Sequence, residues 1–75
     1  MSLNSVLREA FLAILKAIHA AGVLHGDIRS PNLLIDEFGE SSIIDFDQAE
    51  KNDSERAQES ELKQLSRILE AKGEY

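Results

Sequence analysis

Residues 25–32 read His-Gly-Asp-Ile-Arg-Ser-Pro-Asn, a polar stretch that contains the only proline of the 75-residue chain. Ser30 directly precedes Pro31, and a residue in that position is sterically disfavoured from helical geometry. The stretch also lacks the regular spacing of apolar residues that a helix or a strand requires. It therefore predicts a loop that carries carboxylate, guanidinium, imidazole and amide groups close together.

A second acidic stretch follows this loop after a short apolar interval. Asp45 lies thirteen residues beyond Asn32 and comes directly after an apolar pair. Between the two stretches, residues 33–35 and 42–44 form short, partly β-branched runs, with a turn-compatible glycine at position 39. Two such runs joined by a turn predict a β-hairpin.

Helical periodicity flanks these stretches on both sides. Apolar residues recur every three or four positions between residues 4 and 21, and again between residues 53 and 72. Glycines at positions 22 and 73 stand where the two helices are expected to end. The second helix is highly charged outside its apolar stripe, so we expect it on a surface. The acidic residues between positions 50 and 61 are then expected to be solvated.

Composition excludes several classes of protein. The chain has no cysteine, so it forms neither disulfides nor thiolate metal sites. Its net charge is -6, and residues 36–75 hold twelve acidic but only five basic side chains, which argues against a nucleic-acid partner. No apolar run approaches a membrane span, and no signal peptide is indicated. We therefore expect one small intracellular, cytoplasmic domain that is not secreted and has no membrane partner.

The two polar stretches together resemble a known pair of motifs. The catalytic loop of protein kinases has a histidine, any residue, an aspartate, an aliphatic residue, three further residues and an asparagine. The residues that match this pattern in register are His25, Asp27, Ile28 and Asn32. Asp45 stands where the family places its metal-binding segment. Over residues 4–50 the chain thus resembles the C-terminal lobe of protein-kinase-like phosphotransferases. The resemblance implies an α+β fold, with helix, catalytic loop, short β-hairpin and helix forming one partial domain across residues 1–75.

The same resemblance assigns roles to five side chains and implies ATP and Mg²⁺ as cofactors. Asp27 would orient the hydroxyl of an acceptor and receive its proton, while Arg29 would steady the transferring phosphate. Asn32 would complete the catalytic set and would hold Mg²⁺ together with Asp45, because this ion takes oxygen ligands. Leu34 would form part of the floor beneath the adenine, and Asp45 would also count among the nucleotide-binding residues.

Two positions depart from the usual protein-kinase pattern. Gly26 replaces the arginine that many protein kinases place between the histidine and the aspartate. The His-Gly-Asp form is commoner in kinase-like families that phosphorylate small molecules such as aminoglycosides or choline. Asp47 stands where most kinases have a glycine, and residues 43–49 resemble divergent fungal kinase-like proteins. A small-molecule acceptor therefore stays open as an alternative to a protein acceptor.

The 75 residues contain no glycine-rich phosphate loop and no strand lysine of the kinase type. We therefore expect a fragment of a phosphotransferase, without an N-terminal lobe, that transfers no phosphate by itself. A third interpretation is a non-catalytic module whose two amphipathic helices dock on a partner. Apolar helix surface left uncovered in such a fragment would favour self-association.

Overall fold

A computed structural model describes residues 3–72 and, among them, the side chains of residues 6–71. The elements follow in the order α1 (Leu3–Ala20), β1 (Val23–Leu24), β2 (Leu33–Ile35), β3 (Ser41–Ile43), β4 (Glu50–Lys51) and α2 (Glu55–Lys72). Two 3₁₀ turns, Ser30–Asn32 and Phe46–Gln48, lie before and after the β2–β3 hairpin. The expected α+β order of helix, loop, hairpin and helix is confirmed. The helix end predicted at Gly73 lies outside the described residues.

The hydrophobic core forms where the two helices and the hairpin meet. Helix α1 packs against α2 and against β3. The apolar side chains buried in this core are Phe11, Leu15, Ile28, Leu33, Ile43, Leu65 and Leu69. Leu15 and Leu65 have no exposed surface, and burial of each such side chain contributes about 1.5–3 kcal/mol. Ile28 belongs to the polar loop, so the core holds the loop through its aliphatic residue.

The end of α1 is fixed to α2 just before the polar loop begins. Gly22 takes the left-handed conformation, with φ of 77°, that commonly terminates a helix at glycine. Its N–H donates to the carbonyl of His19 at 2.9 Å. Gln58 of α2 donates its side-chain N–H to the same carbonyl at 3.1 Å. A carbonyl in the last turn of a helix lacks its usual intrahelical N–H partner, and here the neighbouring helix supplies a donor.

The predicted hairpin is present, with β3 beginning one residue earlier than expected. The two strands are antiparallel, and Leu33 lies opposite Ile43, so one buried residue of each strand faces the helices. In the turn, Asp36 Oδ1 accepts hydrogen bonds from the amides of Phe38 and Glu40 at 2.8 and 2.9 Å. A side chain that satisfies two turn amides stabilises the connection without any further packing.

A second antiparallel pair, β1 with β4, was not predicted. Val23 lies opposite Lys51, and the amide of Asn52 donates to the carbonyl of Gly22 at 2.9 Å. The pair connects the segment just before the polar loop to the segment just after the Phe46–Gln48 turn. Strands of two residues are too short to show a period in the sequence, so only the folded chain reveals them.

Exposed apolar side chains gather near the hairpin rather than on the helix faces. Apart from Val6 on α1, they are Leu34, Ile35, Phe38, Ile44 and Phe46. The apolar faces of α1 and α2, on which the expectation of self-association was based, pack against the common core. Self-association itself stays a prediction.

Helix α2 carries one acidic residue whose environment differs from the expectation. Glu55 and Glu59 are exposed, as predicted for the acidic stretch between residues 50 and 61. Glu61, by contrast, is only 8% exposed, so the prediction of a fully solvated stretch is wrong at this position. The helix begins at Glu55, two residues later than the earliest predicted start. Neither helix within residues 3–72 has the combination of length and apolar character needed to cross a membrane.

Gly26 occupies a position in the polar loop where a side chain does not fit. Its φ is 86°, a conformation that L-residues rarely adopt. A Cβ placed on it would lie 2.1 Å from the carbonyl oxygen of Gln48, which is backbone and cannot rotate away. The arginine found here in many protein kinases is therefore incompatible with this path of the chain.

Gly26→Ala is expected to destabilise the chain more than Gly39→Ala. Gly39 has nearly the same φ, 81°, but no atom lies within 4 Å of its Cβ position, so its variant isolates the backbone strain. The steric overlap at position 26 should add roughly 1–3 kcal/mol to that strain. Urea unfolding followed by circular dichroism measures both losses, and equal losses would show that the Gln48 contact is unimportant.

Candidate functional site

His25 joins the polar loop to the segment that follows β3. The ring is fully buried, and its Nδ1 accepts a hydrogen bond from the amide of Asp27 at 3.1 Å. Because Nδ1 is an acceptor, Nε2 carries the ring proton and donates to the carbonyl of Ile44 at 2.8 Å. The ring also lies 4.8 Å from that of Phe46, measured between centroids. One side chain therefore sets the distance between the backbone at Asp27 and the backbone just before Asp45.

The three residues predicted to be catalytic lie together. Arg29 Nε lies 2.7 Å from Asp27 Oδ1, and Arg29 Nη2 donates to Asp27 Oδ2 at 3.1 Å. Asn32 Nδ2 donates to the backbone carbonyl of Asp27 at 2.8 Å and to its Oδ2 at 3.2 Å. The proline at the start of the Ser30–Asn32 turn holds the backbone between them in a tight bend. Six residues of sequence, 27–32, are thus folded so that all three side chains meet.

Asp27 is held as a carboxylate by its neighbours. The hydrogen bond from Arg29 lowers its pKa below the ordinary value of 3.8, and the bond from Asn32 lowers it further against the opposing effect of burial. At neutral pH the group is therefore a negatively charged acceptor. Arg29 is more open to solvent than its partner, with 64% of its side chain exposed against 19% for Asp27.

A backbone hydrogen bond brings Asp45 close to the cluster of Asp27, Arg29 and Asn32. The amide of Ile44 donates to the carbonyl of Asn32 at 2.9 Å, so the residue after Ile44 emerges beside the loop. Asp45 is exposed and adopts a left-handed conformation, with φ of 66° and ψ of 74°. Such a conformation is uncommon outside glycine, although aspartate tolerates it better than most residues. Among the described residues, no side-chain hydrogen bond joins Asp45 to the Asp27 cluster.

Leu34, the predicted floor of an adenine site, lies on the open face of the hairpin. It is 45% exposed and stands opposite Ser42, whereas its neighbour Leu33 points into the core. Its side chain is therefore accessible to a ligand, on the same small sheet whose buried face supports the core.

The oxygen atoms near the loop fit a hard cation better than a transition metal. Asn32 commits its amide nitrogen to Asp27, which leaves its side-chain oxygen as the available atom, and Asp45 presents an exposed carboxylate. Oxygen ligands of this kind suit Mg²⁺, which retains several waters when it binds. Within residues 3–72, no three histidine, aspartate or glutamate side chains lie close enough to form a metal site by themselves.

Glu61 is the site residue that the sequence did not identify. Its Oε1 accepts from the ring Nε2 of His19 at 2.8 Å and from the amide of His25 at 3.0 Å. Its Oε2 accepts from the amide of Gly26 at 2.8 Å. Burial raises the pKa of Glu61, but these hydrogen bonds outweigh burial and lower the pKa below the ordinary value of 4.5. A signal was available, because Glu61 lies four residues before the buried Leu65 on the apolar face of α2.

Glu61→Gln is expected to destabilise the chain by roughly 1–3 kcal/mol at neutral pH, because the amide NH₂ would face a donor N–H. The folded pKa of Glu61 is lowered, so its stabilising effect is present above pH 4.5 and is lost as the pH falls through the folded value. The difference between wild type and variant in urea unfolding should therefore shrink in acid. Glu59→Gln, an exposed change on the same helix, serves as the control. A difference that is independent of pH would contradict this account.

Comparison with known proteins relates this chain to kinases. Residues 5–74 match the model of a family described as the lipopolysaccharide kinase (Kdo/WaaP) family. The chain is 51% identical to mitogen-activated protein kinase 12 of Danio rerio over 41 residues, which are 55% of this chain and 11% of that protein. It is 39% identical to CBL-interacting serine/threonine-protein kinase 15 of Arabidopsis thaliana over 56 residues, or 71% of this chain and 13% of that protein. Citron Rho-interacting kinase of Mus musculus is 40% identical over 50 residues, which cover 67% of this chain and 2% of that protein.

These relatives are all kinases, and the chain spans only a small part of each of them. No solved structure matches the chain significantly. The expected kinase-like character is confirmed at the level of the family. Because the family model matches nearly the whole of its length, the chain belongs to the lipopolysaccharide kinase (Kdo/WaaP) family.

Proposed function

We propose that this chain carries the catalytic loop and metal-binding segment of an ATP-dependent phosphotransferase that moves the γ-phosphate of ATP to a hydroxyl. The observation that supports this most directly is the cluster of Asp27, Arg29 and Asn32, in which one carboxylate receives hydrogen bonds from both other side chains. Phosphoryl transfer needs a positioned hydroxyl and charge neutralisation more than covalent chemistry by the protein, and the cluster supplies groups for both.

In this proposal Asp27 orients the acceptor. An Oδ of its carboxylate accepts the proton of the acceptor hydroxyl while the acceptor oxygen forms a bond to the γ-phosphorus. The bond between that phosphorus and the oxygen bridging to the β-phosphate breaks, and ADP leaves with the electron pair. Asp27, whose pKa is lowered from its ordinary value by the hydrogen bond from Arg29, is ionised at neutral pH, so its oxygens can accept the hydrogen of the acceptor hydroxyl.

The remaining residues hold the phosphates and the nucleotide. Arg29, the most exposed member of the cluster, binds Asp27 through Nε and Nη2 and has further N–H groups to donate to phosphate oxygens. Asn32 and Asp45 would hold Mg²⁺ through their side-chain oxygens, and the ion would neutralise charge on the phosphates. Leu34 would form the floor beneath the adenine, because its exposed side chain offers an apolar surface.

A non-protein acceptor is favoured over a protein acceptor by one feature of the loop. The contact between Gly26 and the carbonyl of Gln48 leaves no room for an arginine between His25 and Asp27. The family description names lipopolysaccharide, which offers sugar hydroxyls, whereas two of the relatives are named as protein kinases. A small-molecule or saccharide hydroxyl is thus the first acceptor to test, with a protein hydroxyl second.

Mg²⁺–ATP is expected to bind the chain weakly and to shift the NMR signals of Asn32 and Asp45 selectively. Asp45→Asn should weaken this binding about tenfold or more, because the charged metal ligand is lost. Asp53→Asn removes one exposed carboxylate outside the site and serves as the matched control. Binding that is equally strong in both variants, or absent from the wild type, would contradict the proposal. Absent binding would leave the non-catalytic helical module as the better interpretation.

The 75-residue chain by itself is expected to transfer no phosphate. Its residues would contact the phosphates from the loop side only, since its sequence contains no glycine-rich loop and no strand lysine of the kinase type. Incubation with ³²P-labelled ATP and a mixture of saccharide and protein acceptors tests this expectation. Transfer above background that disappears in Asp27→Ala would show that the chain is active without further elements.

A further inference from the structure

We infer that Gly26 is a positioning residue of the proposed site, because its lack of a side chain lets the peptide of Gln48 close onto the polar loop and thereby fixes Asp45, the proposed metal ligand. The inference rests on the proposed phosphotransferase function, since it concerns how that ligand is presented. Gly26 acts indirectly, through Gln48, which lies three residues after Asp45.

The placement of the Asp45 side chain depends on its backbone. Its φ of 66° and ψ of 74° are left-handed, and its carboxylate does not cap the 3₁₀ turn that follows. A conformation that is unfavourable for a residue with a side chain persists only where the surrounding structure determines it. Contacts on both sides of Asp45 are therefore needed to hold it.

On the N-terminal side, Ile44 is held by both of its peptide groups. Its amide donates to the carbonyl of Asn32 at 2.9 Å, and its carbonyl accepts from Nε2 of His25 at 2.8 Å. These two hydrogen bonds fix the chain as it enters Asp45. They leave open the direction in which the chain continues after it.

On the C-terminal side, the Phe46–Gln48 turn packs on the polar loop. The amide of Ala49 donates to the carbonyl of Phe46 at 2.9 Å and closes the turn. At one end of the turn, the Phe46 ring lies against His25. At the other end, a Cβ on Gly26 would lie 2.8 Å from the carbonyl carbon of Gln48 and 3.1 Å from its Cβ, and closer still to its carbonyl oxygen. Only hydrogen fits between the turn and the loop at this point.

A side chain at position 26 would push the turn away from the loop. Because Ile44 stays bound at the other end, the displacement would have to be absorbed between residues 45 and 48. Asp45 has the least favourable conformation there, since it is the only residue other than glycine with positive φ among those described. Gly26 thus holds the metal ligand in place by allowing the turn to approach.

The conformation of Asp45 can be followed by NMR in the metal-free chain. A left-handed residue has its amide and α protons close together and gives a strong nuclear Overhauser effect between them. We expect this signal at Asp45 in the wild type and its loss in Gly26→Ala. Gly39→Ala should retain the signal, because Gly39 has a similar φ of 81° but no atom within 4 Å of its Cβ position. Mg²⁺–ATP affinity should fall about tenfold or more in Gly26→Ala alone, as when support of a metal ligand is lost.

A further variant controls for stability. Ile68→Val weakens the packing of α2 against the core and leaves the turn and the loop unchanged, so the Asp45 signal should persist. A folded Gly26→Ala variant that keeps the Asp45 signal would overturn the inference. Loss of the signal in Gly39→Ala or Ile68→Val would overturn it as well, because general destabilisation would then explain the effect.

Should Gly26→Ala fail to fold, Gln48→Gly carries the test. Gln48 is exposed, and glycine in its place leaves Gly26 intact but frees the peptide that contacts it. The Asp45 signal should weaken, whereas Asp53→Gly, at an exposed position outside the turn, should leave it unchanged. An undiminished signal in Gln48→Gly, or equal weakening in both variants, would overturn the inference. The signal is measured without metal or nucleotide, so absence of Mg²⁺–ATP binding by the wild type would count against the proposed function alone.

Discussion

A carboxylate can be buried beside a protein core only when hydrogen-bond donors surround it. Here the donors come from α1 and from the polar loop, which both lie far from the carboxylate in the sequence. Glu61 of α2 receives the ring N–H of His19 from α1 and the amides of His25 and Gly26 from the loop. The apolar contacts between the helices are not directional and would tolerate sliding. The hydrogen bonds are directional, so they select one placement of the loop on the helix pair.

From this contact the site extends along the backbone. His25 uses both ring nitrogens, one toward the amide of Asp27 and the other toward the carbonyl of Ile44. The amide of Ile44 returns to the carbonyl of Asn32, so the loop and the segment after β3 are joined twice. Rigid support of this kind matters for phosphoryl transfer, because positioning supplies most of the catalytic effect that a protein can provide.

The small size of the chain explains where its apolar surface lies. Seven buried apolar side chains form the core, and they come from both helices, the loop and the hairpin. Leu34 and Ser42 are the strand pair next to the buried pair of Leu33 and Ile43, and Leu34, Ile44 and Phe46 are exposed. A chain this short buries a smaller share of its surface than a larger domain does, and exposed apolar side chains remain near the hairpin.

The sequence by itself determined the class of fold and the order of its elements, and it predicted which loop carries the site. Helical and strand periodicities are local properties, and the spacing between Asp27, Asn32 and Asp45 can be compared with a family pattern without knowledge of contacts. It also showed that Gly26 and Asp47 depart from that pattern. The reason that position 26 must be glycine was not accessible, because the atom that excludes a side chain belongs to Gln48, 22 residues later.

Only the tertiary structure decided the role of Glu61 and the pairing of β1 with β4. A glutamate in an acidic, exposed-looking helix is predicted to be solvated, since exposure is the usual state of that side chain. What buries it is the presence of three donors supplied by α1 and the loop. The spacing of Glu61 from Leu65 indicates which face of α2 it occupies, but its hydrogen-bond partners are long-range contacts that only the folded chain brings together.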